Sequence, residues 1–177
     1  MHDERNIILI GPMGAGKTTI GRQLAKRLSK DFYDSDHEIE KYTGADISLI
    51  FEIEGEEGFR KRESQVLEEL VSNKNIVLST GGGAILDAEN RKLLSDNGII
   101  IYLKSTAEKL YKRIANDKSR PLLQTDDRLN KIKGILDERE PIYLSLADEV
   151  IEAKEQSIKQ ITQIIIDFIK QNENHKR

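Results

Sequence analysis

The stretch GPMGAGKTT, directly after the apolar run Ile7, Ile8, Leu9, Ile10, meets the phosphate-binding pattern G-x-x-x-x-G-K-[ST] through Gly11, Gly16, Lys17 and Thr18. A strand, a glycine loop and a helix start in that order turn backbone N–H groups inward. There they act with the positive end of the helix to attract phosphate oxygens. Lys17 adds a mobile full charge, and Thr18 is placed to offer its hydroxyl to Mg²⁺. Ile20, Leu24 and Leu28 continue at helical spacing, so the strand-loop-helix context is present. That context outweighs the alternative, a plain glycine turn in an unrelated α/β protein.

At 177 residues the chain is expected to form a single domain, residues 1–177, large enough to cover a central sheet on both faces. Acids and bases nearly balance, 31 against 28, and no Lys/Arg block stands out, which argues against a nucleic-acid or membrane-surface role. Without cysteine there can be no disulfide, no thiolate catalysis and no Cys-ligated zinc. His2, His37 and His175 are scattered. The start MHDERNIILIG has acids where a secretory signal has basic residues, and its apolar run is too short to span a bilayer. The expectation is a soluble, cytoplasmic protein.

Short apolar runs alternate with helical patterns: Ile7–Ile10, then Phe32 and Tyr33, Ile76–Leu78, Ile99–Leu103, and Val150 with Ile151. That rhythm predicts βα units and a parallel sheet buried between helices. Residues 36–71 are too long for one crossover helix and contain stops at Gly44, Gly55 and Gly58, which predicts a helical insertion walling a cleft. The closing helix should pack through Ile158, Ile161, Ile165 and Phe168.

Three further clusters carry chemistry. Asp34-Ser35-Asp36 follows the second strand, so period-2 alternation would aim both carboxylates to one side at the ligand edge of the sheet. One acid could orient Mg²⁺ through water while the other meets an acceptor hydroxyl; an Asx turn capping the next helix is the competing reading. Gly81-Gly82-Gly83 follows the third strand and offers a backbone bare enough for close approach, with N–H groups free for a small polar acceptor, or else is a flexible turn. Arg60 in the insertion and Arg139 in the amphipathic segment Leu129–Tyr143 are ordinary surface arginines if taken singly. Converging on one small molecule, they would clamp a carboxylate. Arg120 sits before Pro121 in the polar stretch 116–128, a candidate lid over the transferring group. Arg113 could stack on adenine or be solvated.

Taken in order, GPMGAGKTTIGRQLA, DSD, DHEIEKYTGADISLIFEIEGEEGFRKRE, STGGGAI, RPLL and DEREPIY strongly resemble shikimate kinase, over the chain from about Asn6 to Ile151. The phosphate loop alone would fit hundreds of nucleotide-handling proteins, whereas EGEEGFRKRE with STGGG and RPLL is specific to this group. The resemblance implies an α/β P-loop kinase fold of the nucleoside monophosphate kinase type. Its five-stranded parallel sheet, order 2-3-1-4-5, would lie between helices, with a substrate-binding insertion and a lid. It implies transfer of the ATP γ-phosphoryl group to the 3-hydroxyl of shikimate, on the way to chorismate and the aromatic amino acids. By the same resemblance Gly14, Ala15, Gly16, Lys17, Thr18 and Thr19 meet ATP phosphates, with Arg113 on the ATP side. Thr18 holds Mg²⁺, and Asp34 does so through water. Asp36 meets the substrate hydroxyls, Arg60 and Arg139 clamp its carboxylate, and Gly82 hydrogen-bonds it with Gly81 and Gly83 alongside. Arg120 closes on the phosphates, so Lys17, Asp36 and Arg120 are the implied catalytic residues. Family analogy suggests a monomer.

One departure lies after the last strand, where Glu152-Ala153-Lys154-Glu155 replaces the threonine and small polar residue usual on the adenine side. It bears on base contacts and nucleotide preference. Two other functions compete: a gluconate-type kinase on the same scaffold, and a nucleotide-binding regulatory protein without phosphotransfer. Retention of Lys17, Asp36 and Arg120 argues against a pure binder, which has no need of groups aimed at a transition state.

Overall fold

The computed structural model describes residues 4–115 and 127–174. Five strands, β1 (Asn6–Ile10), β2 (Asp31–Asp34), β3 (Ile76–Ser79), β4 (Gly98–Lys104) and β5 (Glu149–Glu152), form one sheet in the order β2-β3-β1-β4-β5. Every pairing is parallel. The expected sheet order and the five apolar runs are therefore found.

Strand β1 shows why the runs are continuously apolar. Ile7 and Leu9 join one core cluster with Ile20 and Leu24, while Ile8 and Ile10 join a second with Leu67, Leu78 and Tyr102. Successive side chains point to opposite faces, and both faces are covered, so no position can be polar without a partner. The helices are α1 (Lys17–Leu28), α2 (Ser35–Thr43), α3 (Ile47–Ser72), α4 (Ala88–Asn97), α5 (Ala107–Ile114), α6 (Arg128–Leu146) and α7 (Ile158–Asn174), with a 3₁₀ turn at Ala84–Leu86. In α7 the buried stripe is Ile161, Ile165, Ile166 and Ile169. Ile158, expected inside, is 46 % exposed because it occupies the first position of the helix, ahead of the turns that meet the core.

The stretch 36–71 lies in α2 and α3. Gly44 ends α2 in the left-handed conformation, and Asp46 caps α3 by accepting from Leu49 N–H. Gly58 is helical and not a stop, whereas Gly55 breaks α3 at φ 70°, ψ −176°. That region is essentially open only to glycine. A Cβ on Gly55 would meet no atom within 4 Å, so Gly55→Ala should cost only backbone strain, about 1–3 kcal/mol. A denaturant midpoint unchanged from wild type would contradict this.

Of the stretch 116–128, expected as the lid, Asp127 and Arg128 form the N-cap and first residue of α6. The Arg128 guanidinium binds the Ala115 carbonyl oxygen. The remainder of that stretch, 116–126, lies outside the described residues, and Arg120 with it.

The site follows from the connections. Chain leaving β1 returns to β2 on one side and chain leaving β3 returns to β4 on the other, although β1 and β3 are neighbours. Their carboxyl ends are thus the topological switch point, where open α/β sheets hold ligands. The loops there are Gly11–Gly16 and Thr80–Gly83.

Candidate active site

The phosphate-loop half is built around Gly11–Thr19. Gly14 and Gly16 have φ of 81° and 95°, and Gly16 serves as the N-cap of α1. No side chain caps this helix start, so the first N–H groups of α1 face the cleft with Ala15 buried behind them. Lys17 is nearly buried at 7 % exposure, and its Nζ donates to Gly11 O at 2.7 Å and Pro12 O at 2.8 Å, which stretches the side chain along the loop. Thr18 Oγ1 donates to Asp34 Oδ2 at 2.6 Å. Thr19 also lines the cleft, and Arg113 reaches over from α5 to donate to Gly14 O at 2.9 Å.

Asp34 and Asp36 reach this edge by a different route from the one expected. Asp34 is the last residue of β2 and also the N-cap of α2, accepting from His37 N–H at 3.2 Å through its second oxygen. The cap starts a helix at Ser35, so strand alternation ends before Asp36. Asp36 instead projects from the first turn of α2. Asp34 thus meets the phosphate loop through one carboxylate oxygen and caps α2 through the other.

The second half of the cleft lies on Gly81–Gly83. A Cβ on Gly81 would fall 2.7 Å from Glu63 Oε2 and 2.8 Å from Asp36 Oδ1, and one on Gly83 would fall 2.3 Å from Arg60 Nη2. One on Gly82 would be 3.3 Å from Met13 N and 3.5 Å from Arg139 Nη1. Charged side chains thus press on Gly81 and Gly83 and would have to shift to admit a Cβ there, and those around the loop include Arg60 and Arg139 at one place. The expectation of free N–H groups fails at Gly81, which donates to Ser35 Oγ at 3.0 Å because the start of α2 packs directly on it.

Arg60 donates to Glu63 at 2.9 Å and to Glu56 at 3.3 Å. Glu63 is fully buried; burial pushes its carboxyl up to about 7, with Asp36 adding to the rise and Arg60 and Arg139 opposing it. Arg139 is only 4 % exposed, and neither its Nε nor that of Arg60 has a hydrogen-bond partner among the described residues. Buried donors of that kind call for an acceptor. Tyr143 donates to Gly82 O and stacks on Tyr102, and burial pushes its hydroxyl up to about 12.

Sequence reasoning missed Glu63, Tyr143 and Ser35. Glu63 stands three residues after Arg60, and Tyr143 four after Arg139. These spacings share a helix face, so the signal was available once the arginines were chosen. Ser35 gave no comparable signal, because its partner lies across the sheet edge.

Both halves line one cleft of about 580 Å³, together with the apolar side chains of Phe51 and Phe59. Beyond it, Glu152, expected after the last strand, is still paired in β5 opposite Lys104, and the loop that follows is tied to α5 by Lys109, which donates to Ala153 O at 2.9 Å and Lys154 O at 3.0 Å.

The family model for shikimate kinase matches residues 13–170. Shikimate kinase of Pasteurella multocida is 55 % identical over 170 residues, covering 96 % of this chain and 97 % of the relative. That of Legionella pneumophila is 52 % identical over 165 residues, covering 93 % and 94 %. The solved shikimate kinase of Acinetobacter baumannii in complex with shikimate superposes with a TM-score of 0.94 at 48 % identity, over 97 % of this chain and 96 % of that one.

Proposed function

The chain belongs to the shikimate kinase family, and from that premise we propose how its own residues divide the transfer of the ATP γ-phosphoryl group to the 3-hydroxyl of shikimate. Gly14–Thr19 and the start of α1 cradle the ATP phosphates, and Lys17 neutralises charge on the β- and γ-groups. Arg60 and Arg139 fork onto the shikimate carboxylate, Gly82 supplies a backbone contact, and Asp36 holds the acceptor hydroxyl. The hydroxyl oxygen forms a bond to the γ-phosphorus, the bridging β–γ bond breaks, ADP departs with the electron pair, and Asp36 receives the hydroxyl proton. Transfer of this kind depends mainly on positioning and charge stabilisation. Arg120 serves as the lid residue within a single kinase domain of residues 1–177, with 36–71 as the substrate-binding insertion.

Thr18 hydroxyl and Asp34 carboxylate, 2.6 Å apart at the loop, fit Mg²⁺. They are hard oxygen donors, few enough to leave room for water and phosphate ligands. When bound, the ion would neutralise charge on the phosphoryl oxygens. We read the protein as a cytoplasmic monomer without nucleic-acid or membrane partners. Among the described residues no helix is long and apolar enough to cross a membrane.

The observation that carries this reading is the meeting of Arg60, Arg139 and Asp36 on Gly81–Gly83 beside the phosphate loop. Arg60→Ala and Arg139→Ala should each raise the shikimate KM by roughly 10- to 100-fold, the equivalent of a charged hydrogen bond worth about 1.5–3 kcal/mol, with a smaller change for ATP. Lysine should not fully restore either site. If both variants lose affinity for a carboxylate-free analogue as strongly as for shikimate, the clamp is wrong. ADP release that requires shikimate, and is not supported by gluconate, separates this activity from the competing readings.

A further inference from the structure

Glu63 sits inside the anion-binding half of the cleft, yet the roles above leave it unused. One oxygen accepts from Arg60 Nη1 at 2.9 Å, while Oε2 has no hydrogen-bond partner among the described residues. That oxygen and Asp36 Oδ1 flank the single point a Cβ on Gly81 would occupy. The ionisable groups facing Glu63 are Arg60 on its own helix, Asp36 from α2, and Arg139 and Tyr143 from α6. Glu56 acts from farther off through Arg60, and the glycine loop contributes no ionisable side chain. Two carboxylates and two guanidiniums nearly balance before any ligand enters.

A substrate carboxylate between Arg60 and Arg139 would be a third anion against two cations. Unbalanced charge in a buried site is costly, and the group deepest in the protein relieves it by taking a proton. We propose that Glu63 is a proton-accepting positioning residue: as a carboxylate it holds Arg60 in the open cleft, and it becomes a carboxylic acid when the substrate carboxylate arrives. The proposal rests on the Arg60–Arg139 clamp described above. One proton is taken from the buffer, and the only new covalent bond is O–H on Glu63.

The sign follows from the burial of Glu63. Its carboxyl already titrates at about 7 in the open cleft, and a ligand anion raises it further. Below that pH the proton is already present, so binding takes up little; above it, uptake approaches about one proton per site. The shikimate Kd should therefore rise with pH above about 7, by up to about tenfold per pH unit.

Titration calorimetry of shikimate into the full chain, in HEPES and in Tris at about pH 6 and about pH 8, reads this uptake as a buffer-dependent enthalpy. Wild type should show buffer dependence at the higher pH and little at the lower. Glu63→Gln should bind without buffer dependence at either, and so should wild type with an analogue whose carboxylate is reduced to an alcohol. Normal binding to wild type with no uptake at the higher pH overturns the proposal and leaves the clamp intact; so does full uptake by Glu63→Gln. An analogue that binds as tightly as shikimate overturns the clamp itself. Should Glu63→Gln fail to fold, the infrared difference spectrum of wild type must gain a protonated-carboxyl band on binding shikimate at the higher pH. Its absence sinks the idea.

Discussion

Lys17→Ala is expected to lower kcat by about two orders of magnitude or more, because it removes the charge that faces the β- and γ-phosphates as negative charge shifts during transfer. The side chain is nearly buried and already bonded to Gly11 O and Pro12 O, so its ammonium is held along the loop at little further entropic cost. The same contacts predict a second effect. Alanine removes that donor from Gly11 O, which costs about 1–3 kcal/mol if water cannot replace it, whereas Pro12 O keeps its bond from Ala15 N–H at 3.2 Å. Thermal unfolding separates the two losses, since a folded variant with near-normal turnover at saturating ATP would refute the phosphate-loop assignment.

Asp36→Asn should retain ATP binding yet lose about two orders of magnitude in kcat, because the amide keeps size and one hydrogen bond but cannot accept the proton. Its place in the first turn of α2 adds a reason: a negative charge there is favoured by the helix N-terminus, and the amide forfeits that attraction. Asp34→Asn should behave differently. Asparagine still caps α2 and can still accept from Thr18, so the main loss is charge beside Mg²⁺, and raising the metal concentration should recover part of the activity. Equal rescue of both variants would refute that division of labour. A profile of kcat/KM against pH that keeps its acid limb in Asp36→Asn would assign that limb to another group. The Glu63 effect lies on the other side, as shikimate affinity lost above about pH 7.

The phosphate loop and the sheet were legible in the sequence because their constraints are local. A strand buried on both faces must be apolar throughout, and a loop that turns N–H groups onto phosphate needs glycines, a lysine and a hydroxyl at set spacing. The order β2-β3-β1-β4-β5 came from likeness to a family, since apolar runs do not say which strand lies beside which. The second half of the cleft depended on tertiary structure. Asp36 reaches it from a helix because Asp34 caps that helix, and strand periodicity alone pointed to a pleat. Gly81 and Gly83 looked like a bare surface for a ligand, but side chains from residues 18 or more positions away fill the space beside them. Glu63 carried only the weak signal of a helical spacing from Arg60. Its burial, and with it the shift of its carboxyl to about 7, arises where α2, α3, α6 and the glycine loop meet. Desolvation and charge balance there are sums over groups far apart in the chain, which residue order does not contain and only the folded arrangement decides.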